Sequence, residues 1–174
     1  APLALYLRGA GVRVEAYDDR FSEPMRSHLL SSGVEILDEL NPIKVPDCII
    51  HSSAVSKADS RLSQFENMGI PLYRRGDFLA QLFARKRIIA VVGTHGKTSV
   101  TGRLVWALNK YGFDTSYLVG AQFNNFQLPA GFYSKSKWVL MEVDESDGSI
   151  DGYKPWMTVV LNCDWDHVDT YTEK

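Results

Sequence analysis

The sequence has no long hydrophobic run. Nowhere in its 174 residues does it approach the ~18–20 unbroken apolar residues of a membrane-crossing helix. It has little cysteine: Cys48 and Cys163 stand far apart and outside any metal-type spacing, which excludes a disulfide framework and leaves buried free thiols of a reducing compartment as the expectation. It has little excess charge. A net charge of −2 gives no global basic footprint for nucleic acid, so any anion site must be built locally. No secretory leader is visible, and the first residue is Ala1 rather than Met. These absences lead us to expect a cytoplasmic protein with neither nucleic acid nor membrane as a partner. What the chain does have is 45% hydrophobic residues, enough to core one large domain or two small ones.

Helix and strand patterns alternate along the first half. The opening "APLALYLRGAGVRVEAYDDR" reads as the end of an amphipathic helix, a glycine turn and a strand over Val12 to Tyr17. Its Gly9-Ala10-Gly11 is not a dinucleotide fingerprint, because that motif follows a strand and precedes a helix, and here the order is reversed. A helix at residue 1 suggests a chain entered inside a βαβ unit, with a first strand and its glycine loop upstream. "EPMRSHLLSSG" is a helix, "VEIL" a short strand and "DCIIHSSAV" a buried strand running into a polar turn. "KADSRLSQFENMG" has Leu62, Phe65 and Met68 at helical spacing, "IPLY" is a brief strand, and "DFLAQLFARK" puts Phe78, Leu79, Leu82 and Phe83 on one helix face. The expected fold class is α/β: a Rossmann-like parallel-sheet domain over residues 1–86, then a phosphate-loop α/β domain over 87–174, both incomplete. The second part opens with "RIIAVV", a run suited to a strand buried on both faces. It continues with a helix from Lys97 to about Tyr111, whose inner stripe is Val100, Leu104, Val105 and Leu108, and with the strands "TSYLVG", "KWVLMEVDE" and "MTVVLNCD".

The chemistry concentrates after "RIIAVV". "VVGTHGKTSVTG" departs from the usual G-x-x-x-x-G-K-[ST] spacing, because Val91 stands where the first glycine belongs. The physical requirements of a phosphate site are met in a shorter loop. Gly93 and Gly96 free the backbone to turn its N–H groups inward, Thr94 and His95 lie between them, and Lys97, Thr98 and Ser99 open the helix. Lys97 can reach terminal phosphates and Thr98 can hold Mg²⁺. The alternative is a lysine-bearing turn at an ordinary helix start with Thr94 as N-cap. Two acidic segments follow strands: "LMEVDESDGS" with Glu142, Asp144, Glu145 and Asp147, and "VVLNCDWDHVDTY" with Asp164, Asp166, His167 and Asp169. Ligands in open α/β sheets sit beyond the carboxyl ends of strands, so these segments should converge with the lysine loop. A carboxylate and a neutral imidazole there suit Mg²⁺, or Mn²⁺, beside a triphosphate. Taken singly, each acidic segment also reads as a solvated loop.

"GTHGKTSVT", "EVDESDGS" and "NCDWDHVDTY" together resemble the three marks of the Mur ligases, the ATP-dependent amino-acid-adding enzymes of peptidoglycan synthesis. Within the family they are most similar to the member that joins L-alanine to UDP-N-acetylmuramate. The member that adds a recycled tripeptide tends to have Tyr in the acidic cluster where this chain has Ser146. The resemblance implies three domains, for UDP-sugar, ATP and amino acid, with parts of the first two represented here. It implies that the lactoyl carboxylate of UDP-N-acetylmuramate takes the γ-phosphate of ATP and that the acyl phosphate is attacked by the amine of L-alanine. Lys97 would bridge the β- and γ-phosphates and Gly93 to Lys97 would cradle them. Thr98 and Glu142 would hold one Mg²⁺, and His167 a second.

Other positions carry open alternatives. Asp144, Glu145 and Asp147 hold metal-bound water or cap the next element, and His95 touches substrate or supports the loop. Asp166 orients His167. Ser52 and Ser53 match a turn that faces the UDP-sugar in relatives, or form an ordinary β-turn. Asp18 ends a strand near where such folds contact a ribose. Asn124 and Asn125 could contact the sugar. The rival functions are a non-catalytic UDP-sugar-binding fragment and a plain phosphate-loop NTPase or kinase.

Overall fold

A computed structural model describes residues 1–56, 59–123, 128–143 and 152–163. Its centre is a five-stranded sheet built from β5 (Arg87–Val92), β6 (Ser116–Leu118), β7 (Gly131–Phe132), β8 (Trp138–Glu142) and β9 (Met157–Val160) in the order β7-β6-β8-β5-β9. All neighbours are parallel except the β6–β7 pair at one edge. The sequence did not signal β7: two residues carry no period, and an antiparallel edge pair is specified by its partner rather than by its own pattern.

The central strands β5 and β8 are covered on both faces, and their residues alternate accordingly. Ile88 and Ala90 of β5, with Val139 and Met141 of β8, point into one core with Tyr6, Leu79 and Phe83. Val91 and Leu140, one residue out of phase, point into the other with Val105 and Tyr117. This is the period-two rule of a strand acting on a run that is apolar throughout. Helix α5 (Lys97–Lys110) covers the second face, packing Val100, Leu104, Val105 and Leu108 there. The expected inner stripe and helix limits agree with this to within one residue.

The first face is covered from the N-terminal half. Helices α1 (Pro2–Gly9) and α4 (Arg75–Leu82) bring Tyr6, Leu79 and the fully buried Phe83 onto it. The rings of Tyr6 and Phe83 meet edge-on with centroids 5.3 Å apart, a favoured aromatic geometry. Pro2 starts α1 against β7: a Cβ added at Gly131 would overlap the Pro2 carbonyl, so only glycine admits this approach.

The remaining N-terminal strands form two separate parallel pairs. β1 (Glu15–Ala16) pairs with β2 (Glu35–Ile36), and β3 (Ile49–His51) with β4 (Leu72–Arg74). Helices α2 (Glu23–Ser31) and α3 (Ser60–Asn67) accompany them. The strand expected over Val12 to Tyr17 shrinks to two residues. The buried strand expected in "DCIIHSSAV" is half-buried, because β3 has one neighbour in a two-stranded sheet and not a partner on each side. Of Leu62, Phe65 and Met68, noted for their helical spacing, the first two are buried and Met68 is exposed as the residue that ends α3. Asp59 caps the start of α3 by accepting from Arg61 N–H at 2.9 Å.

Candidate active site

The turn between β5 and α5 is shaped by two glycines. Gly96 precedes the helix with φ of 84°, a left-handed conformation that makes it the N-cap without any side-chain cap bond. The alternative with Thr94 as N-cap is therefore not what the chain builds. The helix ladder begins with Val100 N–H donating to Gly96 O at 3.0 Å. The preceding amides lie upstream of it, at the positive end of the helix dipole. Gly93, with φ of 140°, lies so close to β9's exit that an added Cβ would stand 3.1 Å from the backbone N and O of Asn162.

Lys97, the first helical residue, folds back across this turn, and its Nζ donates to Gly93 O at 2.6 Å. One residue on, Thr98 Oγ1 donates to Glu142 Oε2 at 2.6 Å. Register explains the meeting: Glu142 ends β8 opposite Val91 of β5, so a side chain at the end of one strand reaches the first turn of the helix that follows the other. Gly120, just past β6, leaves room for the pair. A Cβ there would overlap Glu142 Oε1 and stand 3.4 Å from Thr98 Oγ1. The hydroxyl and carboxylate form an all-oxygen donor set beside a lysine and a helix N-terminus, which suits a hard cation such as Mg²⁺ that keeps most of its waters. Among the described residues no cluster of three or more His, Cys, Asp or Glu side chains is placed to hold a metal by itself.

Asn162 completes the floor of the loop. Its Oδ1 accepts from His95 N–H at 2.9 Å, and its Nδ2 donates to His95 O at 2.9 Å. His95 N–H, expected among the cradling amides, is thus directed at Asn162. The His95 and Ser99 residues are exposed, while Thr94, Lys97, Thr98 and Glu142 are half-buried.

Other expected residues stand elsewhere. Ser52 and Ser53 follow β3 in a turn in which Ser52 O accepts from Val55 N–H at 3.1 Å and Ser52 Oγ from Ala54 N–H at 3.3 Å. Asp18 Oδ1 accepts from Arg20 N–H at 2.9 Å, a local turn beyond β1. Asn124, Asn125, Asp144, Glu145, Ser146, Asp147, Asp164, Asp166, His167 and Asp169 lie outside the described residues. The expectation of buried thiols holds for neither cysteine: Cys48 is half-buried and Cys163 exposed, since it follows β9, whose side chains are largely uncovered. Partial burial and the nearby Asp47 raise the Cys48 thiol pKa. Sequence reasoning gave no role to Gly120 or Asn162. Asn162 stood inside the "NCDWDH" segment, but its partner is 67 positions away.

No family model matches the chain. Curated proteins do. The UDP-N-acetylmuramate–L-alanine ligase of Carboxydothermus hydrogenoformans is 33% identical over 97% of this chain and 37% of that relative. The Coxiella burnetii protein of the same name is 38% identical over 80% of this chain and 30% of the relative. The chain thus spans about a third of the length of these relatives. Among solved structures, UDP-N-acetylmuramate–alanine ligase MurC from Thermotoga maritima superposes with a TM-score of 0.87 at 21% identity, covering 99% of this chain and 41% of that one. The ligase for UDP-N-acetylmuramate and L-alanyl-γ-D-glutamyl-meso-diaminopimelate from Neisseria meningitidis superposes with a TM-score of 0.84 at 22% identity, over 99% of this chain and 59% of that one. At these identities the superpositions establish the fold.

Proposed function

This chain belongs to the Mur ligase family, and from that premise we propose that it supplies the nucleotide-binding part of an ATP-dependent ligase joining L-alanine to the lactoyl carboxylate of UDP-N-acetylmuramate. The observation that carries the reading is the Thr98–Glu142 contact at 2.6 Å beside the Lys97 loop. It joins a hydroxyl and a carboxylate at the mouth of a glycine turn and a helix N-terminus, the parts a magnesium nucleotide needs.

In this reading the substrate carboxylate attacks the γ-phosphorus of ATP, breaking its bond to the β–γ bridging oxygen and releasing ADP. The amine of L-alanine then attacks the acyl carbon, forming the amide and expelling phosphate. Both reactants of the first step are anions, so the site must concentrate positive charge there. Lys97 Nζ leaves the Gly93 carbonyl to neutralise the transferring group. Amides of the turn at Gly93, Thr94, Gly96, Lys97, Thr98 and Ser99 hold phosphate oxygens. Thr98 and Glu142 would hold one Mg²⁺, and His167 a second. When bound, the ion lowers the repulsion between carboxylate and triphosphate. Ser52, Ser53 and Asn124 are assigned to the UDP-sugar side. The names of the sequence relatives favour L-alanine over a tripeptide as the second substrate.

We also divide the chain into a UDP-sugar part over residues 1–86 and a nucleotide part over 87–174, the latter opening with β5 at Arg87. A cytoplasmic site of action is consistent with the absence, among the described residues, of a helix long and apolar enough to cross a membrane. The test is phosphate release by the full-length protein with ATP, Mg²⁺ and UDP-N-acetylmuramate, with and without L-alanine. Sustained release only with L-alanine supports a ligase. Equal release without any amino acid or peptide would make it a plain ATPase. Dependence on the tripeptide instead would reassign the second substrate.

A further inference from the structure

The geometry points to Asn162 as a positioning residue that fixes the conformation of the phosphate loop from the far side, an inference that rests on the nucleotide site proposed above. Three successive contacts tie the loop to the exit of β9. Leu161 N–H donates to Val92 O at 3.0 Å, carrying the β5–β9 ladder one step past the last paired residues. Gly93 then lies tight against the Asn162 backbone, where an added Cβ would stand 3.1 Å from both its N and its O. Finally, the Asn162 amide takes both main-chain groups of His95, accepting from the N–H and donating to the C=O, each at 2.9 Å. This closed pair reproduces with a side chain what a neighbouring strand does with its backbone.

The consequence for the loop is specific. Gly93 and Gly96 give the backbone its freedom, and a glycine-rich turn held by nothing else samples many shapes. A loop that must present several amides to one anion gains affinity when its shape is set before the ligand arrives. Asn162 supplies that restraint without touching the phosphates, and it removes His95 N–H from the set that can. Its short planar amide carries a donor and an acceptor side by side, the spacing that the two main-chain groups of one residue present. Alanine removes both bonds. Aspartate keeps an acceptor for His95 N–H but turns an oxygen toward the His95 carbonyl.

The experiment uses the full-length protein and reads binding and exchange, not turnover. ATP with Mg²⁺ and, separately, UDP-N-acetylmuramate are titrated calorimetrically into wild type, Asn162→Ala and Asn162→Asp. Amide hydrogen exchange is followed at His95 and along β5. For Asn162→Ala we expect ATP affinity to fall about ten-fold, as two neutral hydrogen bonds are removed. His95 exchange should rise, while UDP-N-acetylmuramate affinity and β5 protection stay at wild-type values. Asn162→Asp should keep part of the His95 N–H protection yet bind ATP more weakly than wild type. A purely structural residue would instead lower β5 protection and both affinities together, and that result overturns the inference. So does ATP affinity in Asn162→Ala within two-fold of wild type, a result that leaves the nucleotide site standing. Wild type that fails to bind ATP at all overturns the proposed function and the inference with it.

Discussion

The two halves of the chain hold their loops by different means. Around the phosphate loop, glycines admit close neighbours: Gly93 lies against the Asn162 backbone and Gly120 against the Glu142 carboxylate, with parallel strands on both sides of β5. In the N-terminal half the strands are two or three residues long, and charged side chains tie together the segments that flank them. There Arg61 bridges Asp59 at 2.7 Å and Asp19 at 3.2 Å, Tyr17 donates to Asp19 at 2.6 Å, and Arg13 meets Glu35 at 2.8 Å. The first region depends on residues too small to clash. The second depends on ion pairs at the surface, which contribute little each and weaken with salt. One end is therefore sensitive to an added methyl group, the other to pH and ionic strength.

The largest effect should come from what the two regions share. Phe83 is fully buried where α4 meets the face of the central sheet, so Phe83→Ala should cost about 3–5 kcal/mol in chemical denaturation. Separate unfolding of the two halves with an unshifted C-terminal transition would show that the shared core contributes nothing. Next, Lys97→Ala should lower the rate of acyl phosphate formation by about 100- to 1,000-fold, the scale set by losing one group that stabilises transition-state charge. UDP-N-acetylmuramate affinity should hardly change, and normal ligation by the variant would remove Lys97 from the mechanism. Gly120→Ala should push the Glu142 carboxylate off Thr98 and lower activity about ten-fold at sub-saturating Mg²⁺, with partial recovery as Mg²⁺ is raised. An unchanged Mg²⁺ dependence would show that the carboxylate does not act through the ion.

The smallest effect belongs to the N-terminal region. The Asp59 carboxyl lies at about 2, below its ordinary 3.8, chiefly through the Arg61 side-chain hydrogen bond and then the Arg61 N–H. A depressed carboxylate pKa stabilises the fold fully above the unfolded value and is lost as pH falls through the folded one. Asp59→Asn should therefore melt slightly below wild type at pH 5, and the two curves should converge as pH falls through 2 and merge below it. A gap that persists there would trace the difference to capping geometry rather than charge.

What could be read in advance follows the same division. β5, α5 and the placement of Glu142 at a strand end were legible because a long apolar run, a 3.6-residue stripe and a glycine-lysine turn are local signals. The Asn162–His95 clamp was not, because an asparagine announces no period and its partner lies 67 positions away. Gly120 was silent too: its contribution is the space it leaves for Glu142, and an absent side chain writes no pattern. The N-terminal strands were over-read. Val12 to Tyr17 alternates well enough for a longer strand, but a single short neighbour supports only the two residues Glu15 and Ala16.

The meeting of Gly131 with the Pro2 carbonyl has one more consequence. Where two main chains touch with nothing between them, side-chain repacking cannot take up slack. Helix α1 and strand β7 therefore share a fixed fulcrum at this point. Substitutions farther along α1 can tilt its distal end, but they cannot slide its origin along the sheet.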